Sequence, residues 1–184
     1  MNPPTLTTER LVLDPLREDD APALFDYRGD PEIYRRLTLE PSSADDVLRW
    51  IQRSEAFGTP DAWFTLAVRL GDSDTLIGDL GLRCVGEAYE QAEIGYTFSP
   101  QYHGRGYATE AVRGLLDHLF GALGTHRVFA SVAPDNESSA ALLRRLGLRR
   151  EGHLRQSLKF KGQWVDDVVY AILASEWLHR EGEH

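Results

Sequence analysis

The hydrophobic period of this chain changes at Gly106, and few folds can use such a change. Before it, Ala62, Phe64, Leu66, Val68 and Leu70 alternate with Trp63, Thr65, Ala67 and Arg69, the two-residue period of a strand. Residues 71–73 form a turn, and further strands over Leu76–Val85 and 92–98 complete an antiparallel meander that Pro100 closes. After the change, Ala108, Ala111, Val112, Leu115, Leu116, Leu119 and Phe120 follow i, i+3, i+4, i+7 spacing through three turns of helix. A short polar segment rich in glycine, residues 101–108, joins the two patterns.

The rest of the chain extends the same alternation. Leu11, Leu13 and Leu16 mark an opening strand; Asp19 and Asp20 can cap a helix with Pro22 in its first turn and Gly29 near its end; Ser42 or Ser43 starts a second helix whose Val47, Leu48 and Ile51 share a face. Beyond the strong helix, residues 128–133 are apolar on both faces like a buried strand. Residues 136–146 form a helix stopped by Gly147, and strands over Arg149–Phe160 and 164–173 follow. The predicted order is β-α-α-β-β-β-α-β-α-β-β, an α/β (α+β) fold with a mixed, mostly antiparallel sheet. At 184 residues, 42% of them hydrophobic and without repeats or a linker, the chain reads as one domain over 1–184 with its core over about 8–177. The stripes that include Trp63, Phe64, Leu115 and Phe120 are assigned to that core.

Charge and cysteine usage exclude several classes of function. With 20 Lys and Arg against 29 Asp and Glu the formal charge is −9, the wrong sign for bulk nucleic-acid binding. Cys84 is the only cysteine, which removes an intrachain disulfide and a Cys-rich zinc site and leaves it as a small core residue. The longest stretch without Asp, Glu, Lys or Arg is 94–104, short of the roughly 20 apolar residues of a membrane span. Residues 1–10 lack the apolar core of a signal peptide, so a cytoplasmic protein is expected. The six histidines show no i, i+4 helical pair or carboxylate pattern, and no catalytic metal is expected.

The segment Gln101, Tyr102, His103, Gly104, Arg105, Gly106, Tyr107, Ala108 is where chemistry is expected. At a strand-to-helix junction several backbone N–H groups lack helical partners and point out at the positive end of the helix dipole, and glycine lets a diphosphate approach them. The same glycines also suit a plain tight turn. A dinucleotide fingerprint is disfavoured, because Thr109 stands where its third glycine would be. His103 is expected to face solvent from this loop.

These residues, on these elements, resemble the GNAT superfamily of acyl-CoA-dependent N-acetyltransferases, whose pyrophosphate loop reads Q/R-x-x-G-x-G/A; Gln101, Gly104 and Gly106 match it. The resemblance is closest to the ribosomal-protein N-terminal acetyltransferase branch, of the RimJ and RimL type. It runs through Thr8-Glu9-Arg10-Leu11, Asp30-Pro31-Glu32, Glu93-Ile94-Gly95-Tyr96 and Gly106-Tyr107-Ala108-Thr109-Glu110-Ala111, and then through Asn136 with Ser139, Leu146-Gly147-Leu148, Glu151-Gly152, Trp164 with Asp166 and Tyr170, and Glu176-Trp177.

The resemblance implies acetyl-CoA in a cleft between two splayed central strands, with pantetheine pairing like an added strand against Tyr96, Thr97 and Phe98. A backbone N–H there would polarise the thioester carbonyl. Many members carry a tyrosine acid seven residues after the asparagine, where this chain has Leu143. The branch it resembles instead implies Ser139 as the acid, with Ser138 as the competing neighbour, and Asn136 as a cofactor contact that also caps its helix. Glu93 is the candidate base, acting through water, or else a solvated strand residue. The need for a base depends on the acceptor, since an α-amine has a pKa of about 7.7–8.0 and a lysine amine about 10.4. Asp166 and Tyr170 either border the acceptor pocket or pair within the sheet. The expected acceptor is a primary amine, most of all a protein or peptide N-terminus, with a small-molecule amine or a non-catalytic CoA-binding module as alternatives and a homodimer implied by resemblance. Loops over 30–41 and 160–166 are expected to face that acceptor.

Overall fold

The computed structural model describes residues 3–37, 40–54, 56–86 and 89–181, so residues 38 and 39 of the expected acceptor-facing loop, and His184, lie outside the described residues. In chain order the elements are β1 (Leu6–Thr7), β2 (Leu11–Pro15), α1 (Ala21–Arg28), α2 (Pro31–Tyr34), α3 (Ala44–Gln52), β3 (Trp63–Leu70), β4 (Leu76–Val85), β5 (Gln91–Phe98), α4 (Tyr107–Gly121), β6 (Arg127–Val132), α5 (Glu137–Arg145), β7 (Arg149–Phe160), β8 (Gln163–Leu173) and α6 (Ala174–Glu181). The strands form one sheet in the order β1-β2-β3-β4-β5-β6-β8-β7. Every neighbouring pair is antiparallel except β5 with β6. The expected order of elements is present; β1, α2 and α6 are additional.

Helices cover both faces of the sheet. The apolar stripe of α4, including Ala111, Val112, Leu115, Leu116, Leu119 and Phe120, is fully buried against the main core with β3–β6, α5 and Trp177 of α6. Across the sheet, Ala21, Leu24 and Tyr27 of α1 and Val47 and Ile51 of α3 form a second, smaller core. That second layer covers the other face of β3: Thr65, Ala67 and Arg69, which alternate with the apolar positions, are as buried as their neighbours. Arg69 tolerates burial because its guanidinium donates to Asp14 Oδ1 at 2.7 Å and to both oxygens of Asp20 at 2.8 and 2.7 Å. The Asp20 carboxylate is thereby taken from the capping role expected of it; it accepts from Arg17 N at 2.7 Å and makes no bond to the first turn of α1. Ser43 does cap α3, accepting from Asp46 N.

On β6 the expectation of two buried faces fails: the face of Val128, Ala130 and Val132 is buried, whereas on the other face Arg127 and Phe129 are half-buried and Ser131, which lines a cavity, is exposed. Cys84 is buried, as expected, with its sulfur 3.2 Å from Tyr89 N. Among the described residues no helix is long and apolar enough to cross a membrane.

Candidate active site

The parallel pair β5–β6 is short. Residues pair at Gln91↔Arg127, Ala92↔Val128 and Glu93↔Phe129, and beyond Glu93 the strands part. The backbone edge of Ile94–Phe98 that faces β6 is therefore unpaired by it, while its other edge stays bonded to β4 through Gly78↔Phe98 and Leu80↔Tyr96. An exposed strand edge of this kind accepts an extended, amide-bearing chain as an added strand.

At the end of that edge, Ser99 begins a short 3-10 turn over Pro100–Tyr102, and His103 Nε2 donates to the carbonyl of Phe98 at 2.9 Å while the ring stays exposed. Gly104 and Gly106 both lie in the left-handed region, at φ +73° and +81°. Gly106 is the N-cap of α4 with no side chain bonded to the cap, so the N–H groups of Tyr107, Ala108 and Thr109 have no intrahelical acceptor. Residues 103–106 are exposed. The donor set suits a diphosphate: orphan N–H groups at a helix N-terminus, on backbone that only glycine adopts cheaply.

The loop is held from behind by the N-terminal segment. Glu110, in the first turn of α4, accepts from the Thr8 hydroxyl at 2.6 Å, from Arg10 N at 2.8 Å and from Arg10 Nε at 2.7 Å. Arg10 also donates to the Arg105 carbonyl at 3.1 Å and lies over the Tyr107 ring. Two separate motifs of the sequence, Thr8-Glu9-Arg10 and Thr109-Glu110, thus meet at one ion pair.

A cavity of about 360 Å³ opens where the strands part. Tyr96, Thr97, Asn136 and Ser139 line it together with Arg28, Arg36, Trp50, Trp63 and Asp79, the last being the register partner of Thr97 on the neighbouring strand. Ser139 is set by α5: its N–H donates to Asn136 Oδ1 at 3.3 Å, and its carbonyl accepts from the Tyr96 hydroxyl at 3.2 Å. Burial pushes the Tyr96 phenol up to about 12, with the bond to Ser139 acting in the opposite direction. Ser138 is exposed, donates to Asn136 Oδ1 at 3.0 Å and is not part of the lining. Leu143 is fully buried, so a tyrosine at its position would have to displace core rather than reach the cavity.

Glu93 sits at the branch point of the two strands, but it is not solvated: it is buried and takes both Nε (2.9 Å) and Nη2 of Arg83 on one oxygen. Asp166 and Tyr170 do not border this cavity. Asp166 pairs with His153 and accepts from Gln156 N, and Tyr170 is buried beneath Arg144.

The part of the lining that comes from α1, α3, β3 and β4 is what the sequence does not reveal. Trp63, assigned to core, is 45% exposed, because its ring lies over Gly81 and Gly95: a Cβ on Gly81 would stand 3.1 Å from the ring. Asp79, 1% exposed, accepts from Tyr27 Oη at 2.6 Å and from Arg28 Nε and Nη2 at 3.0 and 2.5 Å. Arg28 in turn stacks on Trp50. Glycine opposite a tryptophan two strands away, and an Asp–Arg pair 51 residues apart, leave no periodic trace in a sequence. A second cavity of about 450 Å³, which includes Glu40, Asp46 and Arg53, continues outward past Trp50 and Trp63. A larger one, about 890 Å³, lies along α4 beside residues 5–9 and reaches Gly106 and Thr109 at the start of that helix.

Parted strands that end beside a helix start with unpaired N–H groups are the arrangement that the resemblance to acyl-CoA-dependent N-acetyltransferases implies. Comparison with known proteins gives the same class and narrows it. Residues 10–149 match the model of the acetyltransferase (GNAT) domain, and the chain belongs to that family. It is 34% identical to the uncharacterized N-acetyltransferase p20 of Bacillus licheniformis, over 94% of this chain and 98% of that one. It is 30% identical to spermidine N(1)-acetyltransferase of Vibrio cholerae (93% and 97%) and 28% identical to the ribosomal protein uS5-alanine N-acetyltransferase of Escherichia coli (94% and 92%). The acetyltransferase (GNAT family) from Bacillus anthracis superposes with a TM-score of 0.84 at 25% identity, covering 94% of this chain and all of that one.

Proposed function

We propose that the chain acetylates the α-amine of a protein or peptide N-terminus, using acetyl-CoA and direct attack. One observation carries the choice of acceptor. Among the described residues Asp79 is the only carboxylate that lines the inner cavity, and Arg28 and Tyr27 occupy it; the other lining cation, Arg36, is paired with Asp135. A polyamine carries several positive charges and needs several unpaired carboxylates; a peptide N-terminus brings one amine followed by a neutral backbone. The relatives include enzymes named for each kind of acceptor, so the choice rests on this lining.

The pyrophosphate rests on the N–H groups after Gly104 and Gly106 within the loop of Gln101, Tyr102, His103, Arg105, Tyr107 and Ala108, and pantetheine pairs along Tyr96, Thr97 and Phe98 beside Asn136. The amine lone pair attacks the thioester carbon, the carbonyl oxygen takes up negative charge against a β5 backbone N–H, and the C–S bond then breaks. The Ser139 hydroxyl gives its proton to the departing thiolate and regains one from solvent. The nitrogen loses its proton to water. An α-amine is already substantially neutral near pH 7.5, with a pKa of about 7.7–8.0, so Glu93, held by Arg83, serves as a relay for that water and need not be a strong base.

The test is a mixture of a peptide with a free Ser-Ala N-terminus, the same peptide with its α-amine blocked, and spermidine, incubated with acetyl-CoA and read by mass spectrometry. One acetyl group on the free peptide alone is expected. Acetylated spermidine with an untouched peptide overturns the acceptor, and CoA binding without any acetylated product reduces the chain to a binding module.

A further inference from the structure

Charge is distributed unevenly along the chain. Residues 144–161 carry seven Arg or Lys and a single acid, Glu151, in a protein whose formal charge is −9. Most of this charge falls on β7, the edge strand of the sheet, where every residue except Gly152 and Phe160 is exposed. The outer side of an edge strand offers backbone N–H and C=O groups to an incoming chain. Arg149 is tied to Glu176, whereas Arg150, Arg155 and Lys159 form no salt bridge with a described residue. Apolar side chains stand among these charges: Leu154 and Leu158 are 47% and 46% exposed, and Trp164, paired with Lys159, is 61% exposed. Charge alone would guard an edge against self-association; charge mixed with exposed Leu and Trp has the composition of a recognition surface.

The strand also borders the route to the cavity. Its partner β8 pairs with β6 at Val132↔Val168, and Ser131, Val132 and Ala133 line the inner cavity. At the tip of the β7–β8 hairpin, Lys161 Nζ donates to the Tyr34 carbonyl at 2.8 Å and pairs with Glu40, which lines the outer cavity. Two strand spacings of about 4.8 Å separate β7 from β6, a gap that about three extended residues at roughly 3.3 Å each can span.

We propose that β7 is a docking strand for an acidic segment of the polypeptide whose α-amine enters the cavity, gripping it a few residues beyond the acceptor. This rests on the N-terminal acceptor proposed above. The strand supplies backbone pairing, and Arg150, Arg155 and Lys159 supply selection for Asp and Glu.

The probes are two peptides that begin Ser-Ala-Gly and carry a fluorophore at the C-terminus, one continuing with a run of Glu and the other with a run of Gln. Each is titrated with the CoA-loaded protein and followed by fluorescence anisotropy. The Glu peptide is expected to bind about tenfold more tightly, the sum of three exposed charge pairs, and the advantage is expected to vanish in R150Q/R155Q/K159Q and at high salt. Equal binding of the two peptides, or an advantage that survives the triple substitution, overturns the docking strand. So does tighter binding of an oligouridylate that the same substitutions abolish, which would assign the strand to nucleic acid. Acetyl transfer to the same peptides separates the two ideas. Equal binding with intact acetylation removes the docking strand alone; acetylation of a small amine and of neither peptide removes the acceptor reading and the link between strand and cavity with it.

Discussion

Two side chains that line the inner cavity have different duties, and substitution should separate them. Ser139 is placed by Asn136 and by the Tyr96 hydroxyl but supports no core, so Ser139→Ala should leave the fold and the KM for acetyl-CoA near the wild-type values. It should lower kcat by about 10²-fold, the usual contribution of a positioned general acid. Steady-state release of CoA checks this, and an unchanged kcat would return the proton to water. Asp79 is the reverse case. Its side chain and that of Arg28 are 2% and 9% exposed, so Asp79→Ala leaves a buried guanidinium without its counter-charge. A loss of about 3–5 kcal/mol in urea unfolding is expected, against a smaller loss when both partners are replaced by apolar residues of similar volume. This part of the lining is thus built from a pair that the fold itself requires, which explains how a charged group can line the cavity without being free to pair with a ligand.

Among elements, the start of α4 is the most heavily used, because it must present free N–H groups outward while being fixed from inside. Glu110 does the fixing. Burial pushes its carboxyl up, and hydrogen bonds from the Thr8 hydroxyl and from the backbone and guanidinium of Arg10 outweigh that, leaving it below its usual 4.5. A carboxyl whose folded pKa is depressed contributes stability that is complete above the unfolded value and is lost as pH falls through the folded one. The stability difference between wild type and Glu110→Gln should therefore be largest near neutral pH and shrink below about pH 4. Urea midpoints across that range test it, and a pH-independent difference would mean that the clamp does not depend on the carboxylate. The element scale also explains why some of the molecule was readable and some was not. The bounds of β4 and β7, the apolar face of α4 and the glycine loop follow local rules of period and capping, and the structure agrees with them. The layer of α1 and α3 over β3 does not, because Arg69 and Thr65 look like solvent-facing positions until distant Asp14 and Asp20 are brought beneath that layer. α6 was missed because no breaker separates it from β8 and, among its described side chains, only Trp177 is buried in the core, with Ala174 packed against it.

At the scale of the whole molecule, two helical layers clamp one sheet in which, among the described residues, the one parallel pair parts after three residues, beside a helix start with unpaired N–H groups. The family motifs were legible because the glycine loop is contiguous in sequence. The rest of the cavity lining was not, because it joins α1, α3, β3 and β4, and each contributes one or two residues with no shared spacing. The central claim is that the loop ending at Gly106 holds the CoA diphosphate, and thermal unfolding with CoA tests it most directly. A ligand at about 100 times its Kd adds roughly 2.7 kcal/mol to the folded state. Gly106→Val places a branched side chain at φ +81°, with a Cβ 3.4 Å from Arg10 Nη2, and closes the approach to the N–H groups. The predicted result is a higher midpoint for the wild-type protein with CoA or acetyl-CoA, none with ATP, and no CoA response in Gly106→Val. A wild-type protein indifferent to CoA, or a variant that responds as well as the wild type, would contradict it.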